Sequence, residues 1–255
     1  MRLDRWLTAL GECSRSEGKD LIRRGGAAVD GVIVKDPGAV FETERSALCV
    51  RGREIDGRTV RHVMLHKPAG LLTAARDRKQ PTVMDLLPPV YGSIGCMPVG
   101  RLDKDTTGLL LLTCDGEMSH RLLAPGRHVD KLYEARVTGR LTDAAVRAFA
   151  DGVALSDFTA MPARLEILEA GAETSLARVT VGEGKFHQVK RMFSAVGHEV
   201  LSLRRLRFGP LALDPDLPEG SWRELRAEEL EALRAAAGMA PGAESTEEEP
   251  EKRHE

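Results

Sequence analysis

The chain has 255 residues, with 37 Lys+Arg against 39 Asp+Glu and a formal net charge of −2. A composition that is 42% hydrophobic and 30% charged supports a packed core and excludes a wholly disordered chain. This length admits one large domain or two smaller ones. No apolar run approaches the roughly 18 residues of a membrane span. The opening MRLDRWLTAL lacks the long apolar stretch and small-residue cleavage site of a signal peptide. The four cysteines, Cys13, Cys49, Cys96 and Cys114, are scattered without CxxC spacing and read as free thiols of a reducing cytoplasm. A near-neutral balance argues at first against a nucleic-acid partner, because such proteins usually carry a basic excess.

In chain order, Leu3, Trp6, Leu7 and Leu10 fall on one face of a short helix that Gly11 can end. Ser14 with Glu17 forms a capping box for a second helix, which runs to Arg24 and stops at Gly25-Gly26. Arg15, Lys19 and Arg23, spaced by four, make a basic stripe along it. AAVDGVIV reads as strand, Asp-Gly turn, strand, and Ala47 to Gly57 as a further short strand pair. From residue 61 strands and helices mix. HVMLHKP, GLLLLT, KLYEARVTG, ARLEILEA and SLARVTVG are strand candidates. LTDAAVRAFADG is a helix with Thr142 as N-cap and Gly152 past its end. KFHQVKRMFSAVG is another, burying Val189, Met192, Phe193 and Val196 and stopping at Gly197, and AEELEALRAAAG is the last. The expected fold class is α+β. It has a helix-helix-hairpin module over 1–60, a mostly antiparallel sheet domain with flanking helices and a central cleft over 61–238, and an acidic disordered tail over 239–255.

Cofactor signatures are missing. There is no GxGxxG, Gly182 to Lys185 is too short for a phosphate loop, and His62 and His66 lack the Glu of HExxH. No G-x-S-x-G elbow points to a serine hydrolase. What stands out is PVGRLDKDTTGLLLLTCDGEMSH, Pro98 to His120, where charged turn formers run straight into an apolar strand. On composition alone Asp103, Asp105 and Asp115 are turn residues bonding local backbone N–H groups.

GRLDKDTTGLLLLT resembles the catalytic motif of the RsuA-type bacterial ribosomal RNA pseudouridine synthases. HKPAG (His66 to Gly70), K-x-Y (Lys131 to Tyr133), EGKFHQVKRMF (Glu183 to Phe193) and the L-x-R segment at Leu203 resemble its other motifs, in order. The segment from RLDRWL to Val34 resembles an S-four-type RNA-binding domain, whose second helix meets RNA phosphates; this implies RNA contact by Arg15, Lys19 and Arg23. The resemblance implies an isomerase that needs no cofactor and no metal, with Asp103 as the catalytic carboxylate. It implies Arg191 as the cation keeping that carboxylate charged and Tyr133 as the ring against the uracil. Leu203 would back the pocket, Lys131 would bind RNA or buttress the pocket, and Arg101 would grip phosphate or contribute field. The implied partner is 16S rRNA or a small-subunit assembly intermediate, at the uridine-516 site, acted on by a cytoplasmic monomer with no membrane or nucleotide-cofactor partner. A 23S rRNA enzyme of the same family is the alternative. A non-catalytic RNA-binding assembly factor is a further one, and it predicts loss of Asp103 or Tyr133, both of which are present.

The charge balance fits this implication once it is divided. Residues 224–255 hold 10 acidic and 4 basic residues, so residues 1–223 carry a net +4. Within that body, Lys185 to Arg207 has six basic residues and one acid. The overall −2 averages a mildly basic body with an acidic end, and the expected role of the tail is to discourage promiscuous RNA binding.

Overall fold

Two sheets organise the chain in the computed structural model, which describes residues 1–127 and 129–240. The first belongs to a small amino-terminal unit: α1 (Leu3–Ala9), α2 (Arg15–Arg23), β1 (Ala27–Val29), β2 (Val32–Ile33), β3 (Leu48–Val50) and β4 (Arg53–Ile55). Ser14 and Glu17 close the capping box on α2, as their spacing predicts. The four strands pair antiparallel in the order β2-β1-β3-β4. The hairpins turn at Asp30-Gly31 and Arg51-Gly52, where both residues of each pair take positive φ and so match the right-handed twist of the strands. Leu3, Trp6, Leu7, Ile22 and Leu48 are fully buried beneath, and Trp6 Nε1 donates to the Gly57 carbonyl at 2.6 Å.

The remainder builds a nine-stranded sheet. Its strands are β5 (His62–Lys67), β6 (Met97–Pro98), β7 (Thr107–Thr113), β8 (Lys131–Thr138), β9 (Arg164–Ala170), β10 (Thr174–Val181), β11 (Val200–Phe208), β12 (Leu211–Ala212) and β13 (Trp222–Glu224). Around them lie α3 (Pro89–Ser93), α4 (Gly116–Leu123), α5 (Asp143–Asp151), α6 (Gln188–Ala195) and α7 (Ala227–Ala236). The strand order is β13-β5-β7-β11-β8-β10-β9, with β12 on β11 and β6 on β7. Every pairing is antiparallel except β7 with β11, which confirms the α+β reading. That parallel contact is short, Arg204 with Thr107 and Arg205 with Gly108. Gly108 permits it: at φ 103° a Cβ there would stand 2.2 Å from the Arg205 carbonyl oxygen.

The apolar run of β7 does not alternate because both faces of this strand are covered. Leu109 and Leu111 pack with Met118, Leu122 and Leu233 on one side, and Leu110 and Leu112 with Val63, Leu65 and Tyr91 on the other. A separate core joins α5 and α6 to β8, β9 and β10 through Phe149, Met192 and Phe193. Val90 packs against both the amino-terminal core and the core of β5 and β7, so the two units meet on shared apolar surface. Ion pairs reinforce this joint: Arg61 reaches Asp56 at 3.1 Å and Glu224 at 2.9 Å, and Tyr91 Oη donates to Glu224 at 3.0 Å.

Two boundaries differ from expectation. The helix predicted to start at Lys185 begins only at Gln188, because His187 sits in the left-handed region at φ 49° and breaks the helical path before it. Met239, predicted to open the tail, instead packs against the core beside α7, and its N–H donates to the Arg234 carbonyl. The rest of the predicted tail, from 241 onward, lies outside the described residues. Among the described residues no helix is long and apolar enough to cross a membrane, and all four cysteines are free.

Candidate active site

A cleft of about 440 Å³ opens where the loop before β7 meets β8, β11 and the start of α6. Asp103, Thr106, Tyr133, His187, Lys190 and Leu203 all line it, and Arg101 stands exposed on its rim.

The Asp103 loop is held from three directions. Thr73 Oγ1 donates to the Leu102 carbonyl at 2.7 Å and accepts from the Leu102 N–H at 3.2 Å. The Gly70 N–H donates to the Lys104 carbonyl at 2.8 Å. Beneath the loop lies Lys67, fully buried, whose Nζ donates to the carbonyls of Pro68 (3.0 Å), Lys104 (3.2 Å) and Thr106 (2.9 Å). Burial lowers its pKa to about 8, against a smaller upward pull from Asp105 and Asp103. An ammonium in that position is a three-pronged clamp that fixes the backbone on either side of Asp105 and just after Asp103.

The Asp103 carboxylate, about a quarter exposed, stands between two groups of the α6 segment. Its Oδ1 lies 3.4 Å from His187 Nε2 and its Oδ2 3.4 Å from Lys190 Nζ. Lys190 also binds Asp105 at 2.5 Å, and this hydrogen bond holds Asp105 below the usual carboxylate pKa. Tyr133 reaches the cleft from the middle of β8, paired with Arg205 of β11 and Val179 of β10, with Leu203 of β11 beside it.

The structure places Asp103, Tyr133, Leu203 and Arg101 around one cleft, and the cation it sets beside Asp103 is Lys190. Arg191 does not face that carboxylate. Its guanidinium pairs with Asp157, bonds Ser156 Oγ at 3.3 Å and lies 5.2 Å from the Phe158 ring centroid. The cause is helical geometry: adjacent residues differ by about 100° around the axis, so Lys190 turns to the Asp103 loop and Arg191 to the loop at Asp157. Lys131, expected either to bind RNA or to buttress the pocket, occupies an interior position. It is buried, with Nζ 5.8 Å from the Phe208 ring centroid, and burial lowers its pKa. It does not line the cleft; it supports the β8–β11 pair from within. Arg15 and Arg23 of α2 are exposed and Lys19 is half-buried, so the stripe is displayed, away from the cleft on the amino-terminal unit. Asp115 fulfils the local reading: it caps α4 and accepts from the Met118 N–H at 2.8 Å.

Three residues that matter here were not singled out by the sequence: Lys67, His187 and Lys190. Each lies inside a motif, and a cation three residues after His187 is about one helical turn from it, a spacing from which Lys190 was findable.

A carboxylate in an open cleft, flanked by a cation, an imidazole and an aromatic ring, is equipped for acid–base or nucleophilic chemistry, and comparisons with known proteins give the family in which it acts. The family model described as RNA pseudouridylate synthase matches residues 61–195, and that of the S4 domain matches residues 1–42. The chain belongs to the RNA pseudouridine synthase family, in the form that carries an amino-terminal S4 domain, and it is an isomerase. It is 43% identical to the ribosomal small subunit pseudouridine synthase A of Pseudomonas aeruginosa, over 90% of this chain and 99% of that protein. It is 40% identical to the uncharacterized RNA pseudouridine synthase YtzG of Bacillus subtilis (91% and 98%) and 36% identical to the ribosomal large subunit pseudouridine synthase B of the same organism (92% and 96%). A crystal structure of a pseudouridylate synthase superposes with a TM-score of 0.64 at 32% identity, over 91% of this chain and 99% of that one.

Proposed function

We propose that this protein converts a single uridine of 16S rRNA, the uridine-516 site or its equivalent, to pseudouridine, with Asp103 as the catalytic carboxylate. The observation that carries the reading is the Asp103 carboxylate set between His187 and Lys190 in a cleft walled by Tyr133. In the reaction the bond from uracil N1 to ribose C1′ breaks, the base turns, and C5 bonds to C1′. C5 gives up one proton and N1 takes one, so the atoms balance without an added reagent or cofactor. Asp103 starts the sequence by acting on the sugar or the base. Lys190 and His187 stabilise its negative charge at the point where that charge is used. Tyr133 offers a ring face to the extruded uracil, Leu203 backs it, and the Tyr133 hydroxyl is an outlet for the C5 proton. Arg101 at the rim and Arg15, Lys19 and Arg23 on α2 grip phosphates and position the RNA.

The higher identity to a small-subunit enzyme than to a large-subunit one, each over nearly the whole chain, favours 16S over 23S rRNA. In this reading residues 1–60 form the RNA-binding domain and 61–238 the catalytic domain of a cytoplasmic monomer, and residues 239–255 temper non-specific RNA affinity. The test is to incubate unmodified 16S and 23S transcripts, with and without ribosomal proteins, with wild type and Asp103→Asn. Pseudouridine is then mapped by carbodiimide-dependent stops in reverse transcription. We expect product on 16S RNA and a loss of about 10⁴-fold or more in the variant, the scale seen when a catalytic nucleophile is removed. Product on 23S RNA alone overturns the substrate, equal activity in Asp103→Asn overturns the mechanism, and no product at all leaves an RNA-binding assembly factor.

A further inference from the structure

Phe186 is the only aromatic residue among the large, strongly exposed apolar side chains of the described residues, with 69% of its surface open. The chain has 6 Phe, 2 Tyr and 2 Trp, so an aromatic ring left in solvent is an exception that calls for a cause. Its ring lies flat on the His187 imidazole, 3.8 Å between centroids and 16° between planes. His187 in turn presents Nε2 to Asp103. Carboxylate, imidazole and phenyl ring thus form one row from the cleft to its rim, and the outer end of the row is the exposed face of Phe186.

The row is built rather than incidental. His187 holds a left-handed backbone at φ 49°, a conformation that non-glycine residues adopt only uncommonly. The segment leading to it is pinned by Gln188, which is nearly fully buried. Gln188 Oε1 accepts from the Lys185 N–H at 3.0 Å, and its Nε2 donates to Glu183 Oε1 at 2.7 Å. Glu183 Oε1 also accepts from the Met161 N–H at 2.8 Å. Lys185, next to Phe186, is parked 3.5 Å above the Phe158 ring. With both ends of the turn fixed, Phe186 is displayed in a set orientation, one face occupied by His187 and the other free.

We propose that the free face of Phe186 is a stacking platform for the base that neighbours the target uridine, and that the Phe186–His187 stack is a specificity-determining subsite of the reaction. The inference rests on the pseudouridine reading of the cleft. When the uridine leaves its helix to enter the cleft, its neighbour loses a stacking partner, and an aromatic ring at the rim replaces it. Stacking of one base on one aromatic ring changes affinity by roughly 5- to 100-fold.

The test uses a 16S or 23S rRNA fragment that the wild type modifies, together with two copies of that fragment made abasic at the 5′ or the 3′ neighbour of the target. Single-turnover half-saturation concentrations are measured for wild type, Phe186→Ala and Phe186→Tyr. On the intact RNA, Phe186→Ala is expected to raise this concentration roughly 5- to 100-fold, with the loss in half-saturation rather than in the saturating rate, and Phe186→Tyr to restore it. One of the two abasic RNAs is expected to show the same loss with wild type and no added loss with Phe186→Ala. No loss in Phe186→Ala, or a loss that adds in full on both abasic RNAs, overturns the platform while the pseudouridine reading stands. Absence of product from wild type on any rRNA defeats that reading and the platform with it.

Discussion

Replacing Lys67 by methionine separates the architecture of the catalytic loop from the stability of the fold. The Lys67 ammonium donates to three carbonyls, and one of these, that of Lys104, also accepts from the Gly70 N–H. Methionine, of similar length and apolar, leaves the Pro68 and Thr106 carbonyls without the donor that Lys67 supplied. Each buried acceptor so exposed costs about 1–3 kcal/mol, or about 2–6 kcal/mol for the pair. Against this, burying the ammonium is itself unfavourable: a pKa lowered from 10.5 to about 8 corresponds to about 3 kcal/mol, which methionine does not incur. The two effects nearly offset, so Lys67→Met is expected to lose no more than about 3 kcal/mol of stability. The loop has no such compensation. Its backbone at 104 and 106 brackets Asp105 and adjoins Asp103, and a displacement of about 1 Å at a reacting group costs about 100-fold in rate. The assays are a urea melt followed by single-turnover pseudouridine formation on the modified rRNA. A variant that stays folded with its rate within tenfold of wild type would falsify the clamp.

Two further outcomes follow from the same geometry. Lys190→Met is expected to slow the reaction about 100-fold, because Asp103 and Asp105 lose their shared cation, whereas Arg191→Met, which releases Asp157, Ser156 and the Phe158 ring but no group of the Asp103 loop, should cost less than about tenfold; steady-state kcat on the same RNA ranks the pair, and the reverse ranking restores Arg191 as the partner of Asp103. His62, buried with its Nδ1 2.8 Å from Thr113 Oγ1, has its pKa lowered by burial from 6.5 to about 4, so as pH falls the unfolded chain takes up this proton before the folded one does. The stability linked to neutral His62 is complete above about pH 6.5 and drains between 6.5 and 4, by at most about 3 kcal/mol; urea midpoints across that range, steep in wild type and flatter in His62→Gln, measure it, and parallel curves would assign the acid sensitivity elsewhere.

How much of this was legible in the sequence depended on whether the signal was local. The capping box at Ser14 and Glu17, the hairpin at Asp30-Gly31 and the strands β5, β7, β8, β9 and β10 were all readable, because a cap, a turn pair or an apolar run reports on its own neighbourhood. β11 was not, although it is the longest strand. VLSLRRLRF places three arginines in nine residues, and two register shifts break its alternation, between Val200 and Ser202 and between Arg205 and Arg207. Arg205 is buried there, its Nε donating to the Leu109 carbonyl at 2.7 Å, a partner 96 residues away that no local pattern announces. α4 was hidden for the opposite reason: Asp115 does bond a local backbone N–H, as a turn residue does, and the same bond starts a helix. At the site, motif resemblance pointed to segments that meet in one cleft, while which of Lys190 and Arg191 lies beside Asp103 turns on about 100° of rotation, which depends on where the left-handed His187 starts the helix.

In the proposed mechanism, the way Lys190 is shared lets one cation stand near Asp103 without occupying it. A tight ion pair would leave Asp103 ionised but occupied, and a carboxylate engaged by strong hydrogen bonds is a poorer nucleophile or base than one that is merely near a positive charge. In the structure Lys190 makes its short contact, 2.5 Å, with Asp105, and stands off from Asp103 at 3.4 Å. Asp105 thereby holds the ammonium in place, while Asp103 feels its field across a gap that leaves its oxygens open to the cleft. His187 approaches the other oxygen at the same 3.4 Å, on an imidazole stacked against Phe186. The carboxylate is surrounded without being bound, and Lys67 beneath the loop keeps both aspartates in register with α6. In the proposed reaction GRLDKD uses both of its acids: Asp105 to anchor the cation, and Asp103 to remain free for the uridine.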